Sequence, residues 1–234
     1  MSVLAIVPAA GVGTRMGGET PKQFLSIEGT PIFVYTLRKL ASAQVLDEIF
    51  LAVRFGEMER VQQVVDGERL GRPLRLTGGG GTRQETVARA LEAAPQSTEV
   101  VLVHDAVRPF VTAEMVQKVV EAARSDGAAI LGIPSVDTIK QVEHEVILGT
   151  IPRERIALAQ TPQAFRFSLF REAVDRALAD GFQGTDEASL VERLGERVTV
   201  LMGSDRNIKI TKPSDLPLAR LFIELERQAE GSKH

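Results

Sequence analysis

The sequence predicts an α/β domain with a mostly parallel, twisted sheet and helices on both of its faces. Three observations carry that expectation. Short β-branched runs alternate with helix-length amphipathic stretches through the first half of the chain, and such alternation builds parallel sheets with right-handed crossovers. The first of these runs empties into a glycine-rich loop. An apolar content of 44% over 234 residues is enough to close one large core.

Val3–Val7 is short, β-branched and free of polar alternation, as a strand buried on both faces should be. It leads into Pro8-Ala9-Ala10-Gly11-Val12-Gly13-Thr14-Arg15-Met16-Gly17-Gly18, followed by Pro21-Lys22-Gln23-Phe24. Thr30-Pro31 is expected to open a helix to about Ala43, with Thr30 as cap and Pro31 at the first helical position. Glu48–Val53 is a second strand, Met58–Val65 a short helix, and Leu74–Thr77 a weak third strand running into Gly78–Gly81. Thr82-Arg83-Gln84-Glu85 has capping-box spacing and opens a helix to about Ala93. Val100–Val103, the most hydrophobic strand, ends in His104-Asp105-Ala106-Val107-Arg108-Pro109. A helix from Thr112 to about Ser125 and a strand Ala128–Ile133 follow.

The alternation then stops. From Pro134 to about Ile156 there are only β-prone pieces: Thr138–Val142, Glu145–Leu148 and, beginning at its end, Ile156–Gln160. The plain interpretation is a surface loop; the sharper one is a projecting β-arm that embraces a second subunit, since long loops without a function are uncommon. Helices return at Ser168–Asp180 and Asp186–Leu194, strands at Thr199–Met202 and Ile208–Ile210, and a terminal helix from Pro213 to about Gln228. No repeat or linker interrupts the chain, so one domain over 1–234 is expected, with the arm at about 134–158.

Composition removes several functions. A net charge of −3 and the lack of a basic track argue against a nucleic-acid partner. With no cysteine there is no disulfide, thiolate metal site or cysteine nucleophile. No span of 18 apolar residues and no secretory leader is visible, so no membrane partner and a cytoplasmic location are expected.

In open parallel sheets, ligands collect beyond the carboxyl ends of the strands. The first loop, the glycine run and His104-Asp105 all fall there. Glycines let backbone N–H groups approach an anion closely, and Arg15 and Lys22 add full charges beside the first loop. Either is an ordinary solvated cation on its own; flanking a strand-end loop, the pair suits charge accumulating on an attacked phosphorus. The glycine run suits a flat base or a phosphate, with Thr82, Arg83 and Thr86 the nearest polar groups; Thr82 has an equally sufficient role as helix cap. Asp105 is either an acceptor for nearby N–H groups or a ligand for Mg²⁺. His104 reads as a packed, hydrogen-bonded residue rather than a base.

The dinucleotide fingerprint G-x-G-x-x-G fails at its third glycine, where Met16 stands. Arg54-Phe55-Gly56-Glu57 follows the second strand, with no acidic residue placed cleanly for a ribose. A P-loop is absent as well. A nicotinamide-dependent dehydrogenase is therefore disfavoured.

Taken together, Pro8-Ala9-Ala10-Gly11-x-Gly13-x-Arg15-Met16, Pro21-Lys22-Gln23, Gly79-Gly80, Val103-His104-Asp105-Ala106-x-Arg108-Pro109, Asp137-Thr138-x-Lys140, Thr161-Pro162-Gln163, Thr185-Asp186-Glu187-Ala188 and Asn207-Ile208-Lys209-Ile210-Thr211 closely resemble the 2-C-methyl-D-erythritol 4-phosphate cytidylyltransferase family. The resemblance runs in order along nearly the whole chain. It implies a Rossmann-like nucleotidyltransferase domain that uses CTP and a sugar-alcohol phosphate, with Mg²⁺ assisting the departure of pyrophosphate. It implies that Arg15 and Lys22 stabilise the pentacoordinate transition state. The nucleotide would lie on Pro8, Ala9, Ala10, Gly11, Gly13, Gly79, Gly80, Arg83, Thr86, Asp105 and Ala106, with Thr86 keeping the hydroxyl of the family's frequent serine. Asp105 would also sit by the metal. The acceptor would meet Thr138 and Arg153 of the arm, Thr161, Thr185, Asp186 and Lys209. A homodimer joined through the arm is implied too. Arg155 would share a strand face with Arg153 if that segment were extended, and spacing favours Arg153.

Two other functions compete: a sister cytidylyltransferase acting on ribitol 5-phosphate, and a non-catalytic nucleotide-sensing module that uses the arm to contact a partner.

Overall fold

The structure is a computed structural model that describes residues 2–11 and 24–231. Its strands are β1 (Ser2–Pro8), β2 (Ser26–Ile27), β3 (Thr30–Pro31), β4 (Glu48–Val53), β5 (Leu74–Gly78), β6 (Thr98–Val103), β7 (Ala128–Pro134), β8 (Ile139–Glu143), β9 (Val146–Ile151), β10 (Ala157–Arg166) and β11 (Thr199–Met202). The helices are α1 (Ile32–Ala41), α2 (Met58–Asp66), α3 (Arg83–Glu92), α4 (Ala113–Asp126), α5 (Phe167–Ala179), α6 (Ala188–Arg193) and α7 (Asp215–Gly231).

Seven strands form one sheet in the order β11-β7-β10-β6-β1-β4-β5. All neighbours are parallel except β10, which lies antiparallel between β6 and β7. Successive side chains of β1 point to opposite faces, and each face has its own core. Val3, Ala5 and Val7 pack with α1, α2 and α4 residues such as Leu37, Val61 and Val120. Leu4 and Ile6 pack with Val87 and Leu91 of α3, Phe170 and Val174 of α5, and Val191 of α6. A parallel α/β sheet with helices on both faces is what the alternation predicted. A third cluster, including Ile32, Phe110, Ile210 and Ile223, seats the terminal helix α7.

Several local expectations are corrected. The α1 cap is Pro31, which has no side-chain cap bond, because Thr30 and Pro31 pair with Ser26–Ile27. Ile208–Ile210 is not a strand: Ile210 makes a backbone bond to the Val107 carbonyl at 2.9 Å, but no ladder forms. Ile156–Gln160 is not a separate short piece. It leads into β10, which continues through Arg166 in the central sheet. The excursion proper is the β8–β9 hairpin, a two-stranded sheet of its own. Its turn falls on His144 and Glu145, with φ of 44° and 67°, the left-handed pair that tight hairpin turns require. Arg153–Arg155 forms one turn of 3-10 helix, so these arginines do not share the face that an extended segment would give them.

Candidate active site

The carboxyl ends of β1, β4, β5 and β6 bring the predicted segments together. Ala9 N–H bonds to the Ala52 carbonyl and Gly79 N–H to the Val53 carbonyl, each at 2.7 Å. The first loop and the glycine run thus leave the sheet side by side. A Cβ on Gly79 would collide with Ala10 Cβ, and one on Gly80 with Glu85 Cβ; glycine is required by close approach, not by a turn. Thr82 caps α3, accepting from Glu85 N–H at 3.1 Å. The Glu85 carboxylate in turn accepts from Gly81 N–H at 2.8 Å. Thr86 Oγ1 is buried, donates to the Thr82 carbonyl at 2.8 Å and accepts from Gly80 N–H at 3.0 Å. Its hydroxyl therefore fixes the shape of the glycine loop. Arg54 Nε donates to the Ala10 carbonyl at 2.8 Å, tying the second strand's end to the first loop.

Asp105, just beyond β6, is the electrostatic centre. Its Oδ1 meets Arg83 Nη2 at 3.1 Å; its Oδ2 meets Lys209 Nζ at 2.8 Å and Arg108 Nε at 3.5 Å. Burial by itself would raise the carboxyl pKa, but Arg83, then Lys209 and Arg108, overcome it and hold the group far below the usual carboxylate range. Arg83 also pairs with Glu187, which is 2% exposed. For Arg83, burial opposes the charge while Glu187 and Asp105 raise the pKa above the ordinary arginine value. Arg108 is lowered by burial, with Asp105 opposing.

A cavity of about 250 Å³ opens beside this centre, lined among others by Arg83, Asp105, Thr161, Thr185, Asp186 and Lys209. All six were predicted from sequence, which divided them between nucleotide and acceptor. Asp186 is anchored: Oδ2 accepts from Gln163 Nε2 at 2.8 Å and Oδ1 from Ser189 N–H at 3.0 Å, at the start of α6. Gln84 of α3 accepts from Gly184 N–H and donates to the Phe182 carbonyl, both at 2.9 Å. The helix behind the glycine loop thereby fixes the segment that carries Thr185. Ala106 is buried, and its carbonyl accepts from Thr36 Oγ1 at 2.9 Å. Pro8 ends β1 and Gly11 is exposed at the start of the loop.

Other predictions fall elsewhere. Gly13, Arg15 and Lys22 lie outside the described residues. Thr138 and Arg153 are exposed beside the hairpin and do not line the cavity. Arg153 Nη1 donates to the Val136 carbonyl at 2.8 Å, tying the chain leaving the arm to the chain entering it. Arg108, Gln160, Gln163 and Glu187 take part in the site, although the sequence assigned them no role. Gln160 and Gln163 carry a usable signal: both are buried polar residues on a strand, where they need partners.

Among the described residues, no group of three or more His, Cys, Asp or Glu is placed to hold a metal ion. Asp105 is compensated by three cations, so a dication would be repelled from it unless one of them withdrew. The described residues do not fit a metal cage built from protein alone.

The model of one family, 2-C-methyl-D-erythritol 4-phosphate cytidylyltransferase, matches residues 3–225. The 2-C-methyl-D-erythritol 4-phosphate cytidylyltransferase of Solibacter usitatus is 48% identical, covering 97% of this chain and 97% of its own. That of Acidobacterium capsulatum is 49% identical over 95% of this chain and 98% of its own. Two crystal structures are also similar. The 4-diphosphocytidyl-2C-methyl-D-erythritol synthase of Anaerococcus prevotii superimposes with a TM-score of 0.85 at 28% identity, covering 95% of this chain and 96% of its own. The 2-C-methyl-D-erythritol 4-phosphate cytidylyltransferase of Thermus thermophilus superimposes at 0.77 with 38% identity, covering 95% and 98%.

Proposed function

Because this chain belongs to the 2-C-methyl-D-erythritol 4-phosphate cytidylyltransferase family, we propose a division of labour in its strand-end cleft for that family's reaction. The chain transfers CMP from CTP to 2-C-methyl-D-erythritol 4-phosphate, releasing pyrophosphate and forming 4-CDP-2-C-methyl-D-erythritol. An acceptor phosphate oxygen bonds to the α-phosphorus as the bond from that phosphorus to the β-phosphate bridge breaks. A phosphate oxyanion is already nucleophilic at neutral pH, so no general base is needed.

One observation carries the assignment of roles: Arg83, two residues past the glycine run, lines the Asp105 cavity and pairs with Asp105, which sets the glycine loop and the cavity on either side of one helix start. Cytosine is assigned to the surface shaped by Ala10, Gly79, Gly80 and Thr86, and the triphosphate to the loop that starts at Ala9. Thr161, Thr185, Asp186 and Lys209 are assigned to the acceptor, supported by their places around the cavity. Arg15 and Lys22 are assigned the charge that builds up at the attacked phosphorus.

Mg²⁺ dependence belongs to the same proposal. With Asp105 already compensated, the ion would be held chiefly by triphosphate oxygens, which suits a cation that keeps waters and takes few carboxylates. Bound there, it supplies neutralisation of the departing charge. Excess chelator should stop turnover; undiminished activity would remove the metal from the account.

We also assign the hairpin to a homodimer contact. Val142, Val146, Ile147 and Leu148 are exposed on it, and Thr138 and Arg153 lie away from their own protomer's cavity lining. A partner's arm would bring these two residues to the acceptor phosphate. A cytoplasmic location is proposed alongside, in keeping with the finding that no described helix is long and apolar enough to cross a membrane. Pyrophosphate release with CTP, Mg²⁺ and each candidate acceptor tests the function. Release with 2-C-methyl-D-erythritol 4-phosphate is expected; release with ribitol 5-phosphate alone would overturn it.

A further inference from the structure

Four buried residues close a hydrogen-bonded ring behind the cavity: His104, Thr161, Asn207 and Arg108. His104 Nε2 lies 3.0 Å from the Arg108 carbonyl. A carbonyl only accepts, so Nε2 carries the imidazole proton and Nδ1 is left as an acceptor. The Thr161 hydroxyl donates to that Nδ1 at 3.1 Å. Asn207 Nδ2 donates to the Thr161 carbonyl at 2.9 Å, and Arg108 Nη1 donates to the Asn207 carbonyl at 2.7 Å. The direction of every bond is therefore determined. With its proton committed to His104, Thr161 Oγ1 accepts from the Asp105 N–H at 3.0 Å.

The ring joins three segments that are remote in sequence: the end of β6, the middle of β10 and the loop after β11. Each carries a residue of the cavity. Asp105 adjoins His104 and is held through its own N–H, Thr161 is itself a member, and Lys209 lies two residues beyond Asn207. The glycines of the cleft bond to none of the four ring residues: Gly79 bonds to Val53 and Arg89, Gly80 to Thr86 and Gly81 to Glu85. The link to the ring's neighbourhood is Arg83, which pairs with Asp105.

Resting on the acceptor assignment made above, we infer that His104 and Asn207 are positioning residues for the acceptor half of the reaction, holding Thr161 and Lys209 in register without touching substrate. A ring that only stabilised the fold would weaken both half-sites together or neither. Positioning predicts a split.

His104→Phe keeps a ring but removes both nitrogens, and Asn207→Ala removes the donor to Thr161. Each should raise the KM for 2-C-methyl-D-erythritol 4-phosphate by about tenfold or more while the KM for CTP stays within about twofold. His104→Asn retains an amide oxygen for the Thr161 hydroxyl and should recover part of the loss. The double variant His104→Phe with Asn207→Ala should lose less than the product of the single losses, because both break one unit. Independently of turnover, long-range nitrogen–proton spectra of the wild type should show His104 protonated at Nε2. The positioning role is overturned if both single variants leave the acceptor KM unchanged, if both KM values rise in proportion, or if Nδ1 carries the proton. Should His104→Phe fail to fold, Asn207→Ala and the spectrum decide. Lack of wild-type turnover with this acceptor would strike the acceptor assignment itself, whereas normal wild-type turnover with unmoved variants strikes the positioning role alone.

Discussion

Lys209 Nζ lies 2.8 Å from Asp105 Oδ2, although the two residues come from opposite halves of the chain. The pair links the loop after β11 to the end of β6 and lines the cavity assigned to the acceptor. Asp105 also holds Arg83 and Arg108, so Lys209 contributes a positive charge that the carboxylate alone does not require. That surplus is what an incoming phosphate would use.

Lys209→Met keeps the aliphatic stem and removes the charge. Loss of one hydrogen bond to a charged group is worth about 1.5–3 kcal/mol, or roughly 10- to 150-fold. We expect a rise of that size in the acceptor KM, with CTP affinity nearly unchanged. Steady-state kinetics with each substrate varied in turn checks it; an equal rise in both KM values would move Lys209 to the nucleotide.

Arg83 joins Asp105 to Glu187, and Glu187 Oε2 already has no hydrogen-bond partner among the described residues. Arg83→Met would leave a carboxylate buried without its cation, at a cost of about 3–5 kcal/mol. For a chain of this length that corresponds to a fall in Tm of roughly 10 °C. The double variant Arg83→Met with Glu187→Leu should regain most of it. Thermal unfolding of both variants tests the pairing; equal Tm values would show that the buried charge is not what costs stability.

Much of the fold was legible because its signals are local. Val3–Val7 is apolar throughout and mostly β-branched, and Thr82 and Thr112 stand as caps before amphipathic runs, each accepting from an N–H three residues on. What escaped depends on tertiary partners. Of β10 only the part up to Gln160 reads as β-prone, because Thr161-Pro162-Gln163 interrupts the run, yet the side chains of Gln160, Thr161 and Gln163 bond to Ser204, His104 and Asp186. The turn at His144-Glu145 lacks the glycine or asparagine that would announce it. In the site, Asp105, Lys209 and Thr161 came from motifs, whereas the partners that orient them, Arg108 and Asn207, sat in the same motifs without a role. Side-chain types and spacing show which groups gather; they do not show which hydrogen bonds close.

The pH dependence of stability has a definite sign. Burial pushes His104 down to about 4, against the raising effect of its bond to the Arg108 carbonyl, whereas an unfolded histidine titrates near 6.5. Between those values the unfolded chain binds the extra proton, so the His104 contribution is intact above about pH 6.5 and is lost as pH falls toward 4. From pH 7 to pH 5 the loss should be about 2 kcal/mol. Asp105, held far below the usual carboxylate range, keeps its contribution throughout that window. Urea unfolding at the two pH values should show this difference between wild type and His104→Phe; parallel losses would mean that His104 is not buried neutral.

Arg15 and Lys22 are assigned to the transition state, so their removal should affect rate more than binding. Arg15→Ala and Lys22→Ala should each lower kcat by about 100- to 1,000-fold, the usual cost of one transition-state donor. The dissociation constant for CTP, read by calorimetry, should change far less. Equal losses in binding and rate would make the two cations ordinary triphosphate ligands.

The most direct measurement follows the α-phosphorus itself. With CTP labelled at that atom, Mg²⁺ and 2-C-methyl-D-erythritol 4-phosphate, a single turnover should place the label in the CDP-linked product and none in pyrophosphate. Label remaining in bound CTP would leave only a nucleotide-binding module. Label released as free CMP, with no linked product, would show water and not the sugar phosphate to be the nucleophile. Either result would contradict cytidylyl transfer to this acceptor.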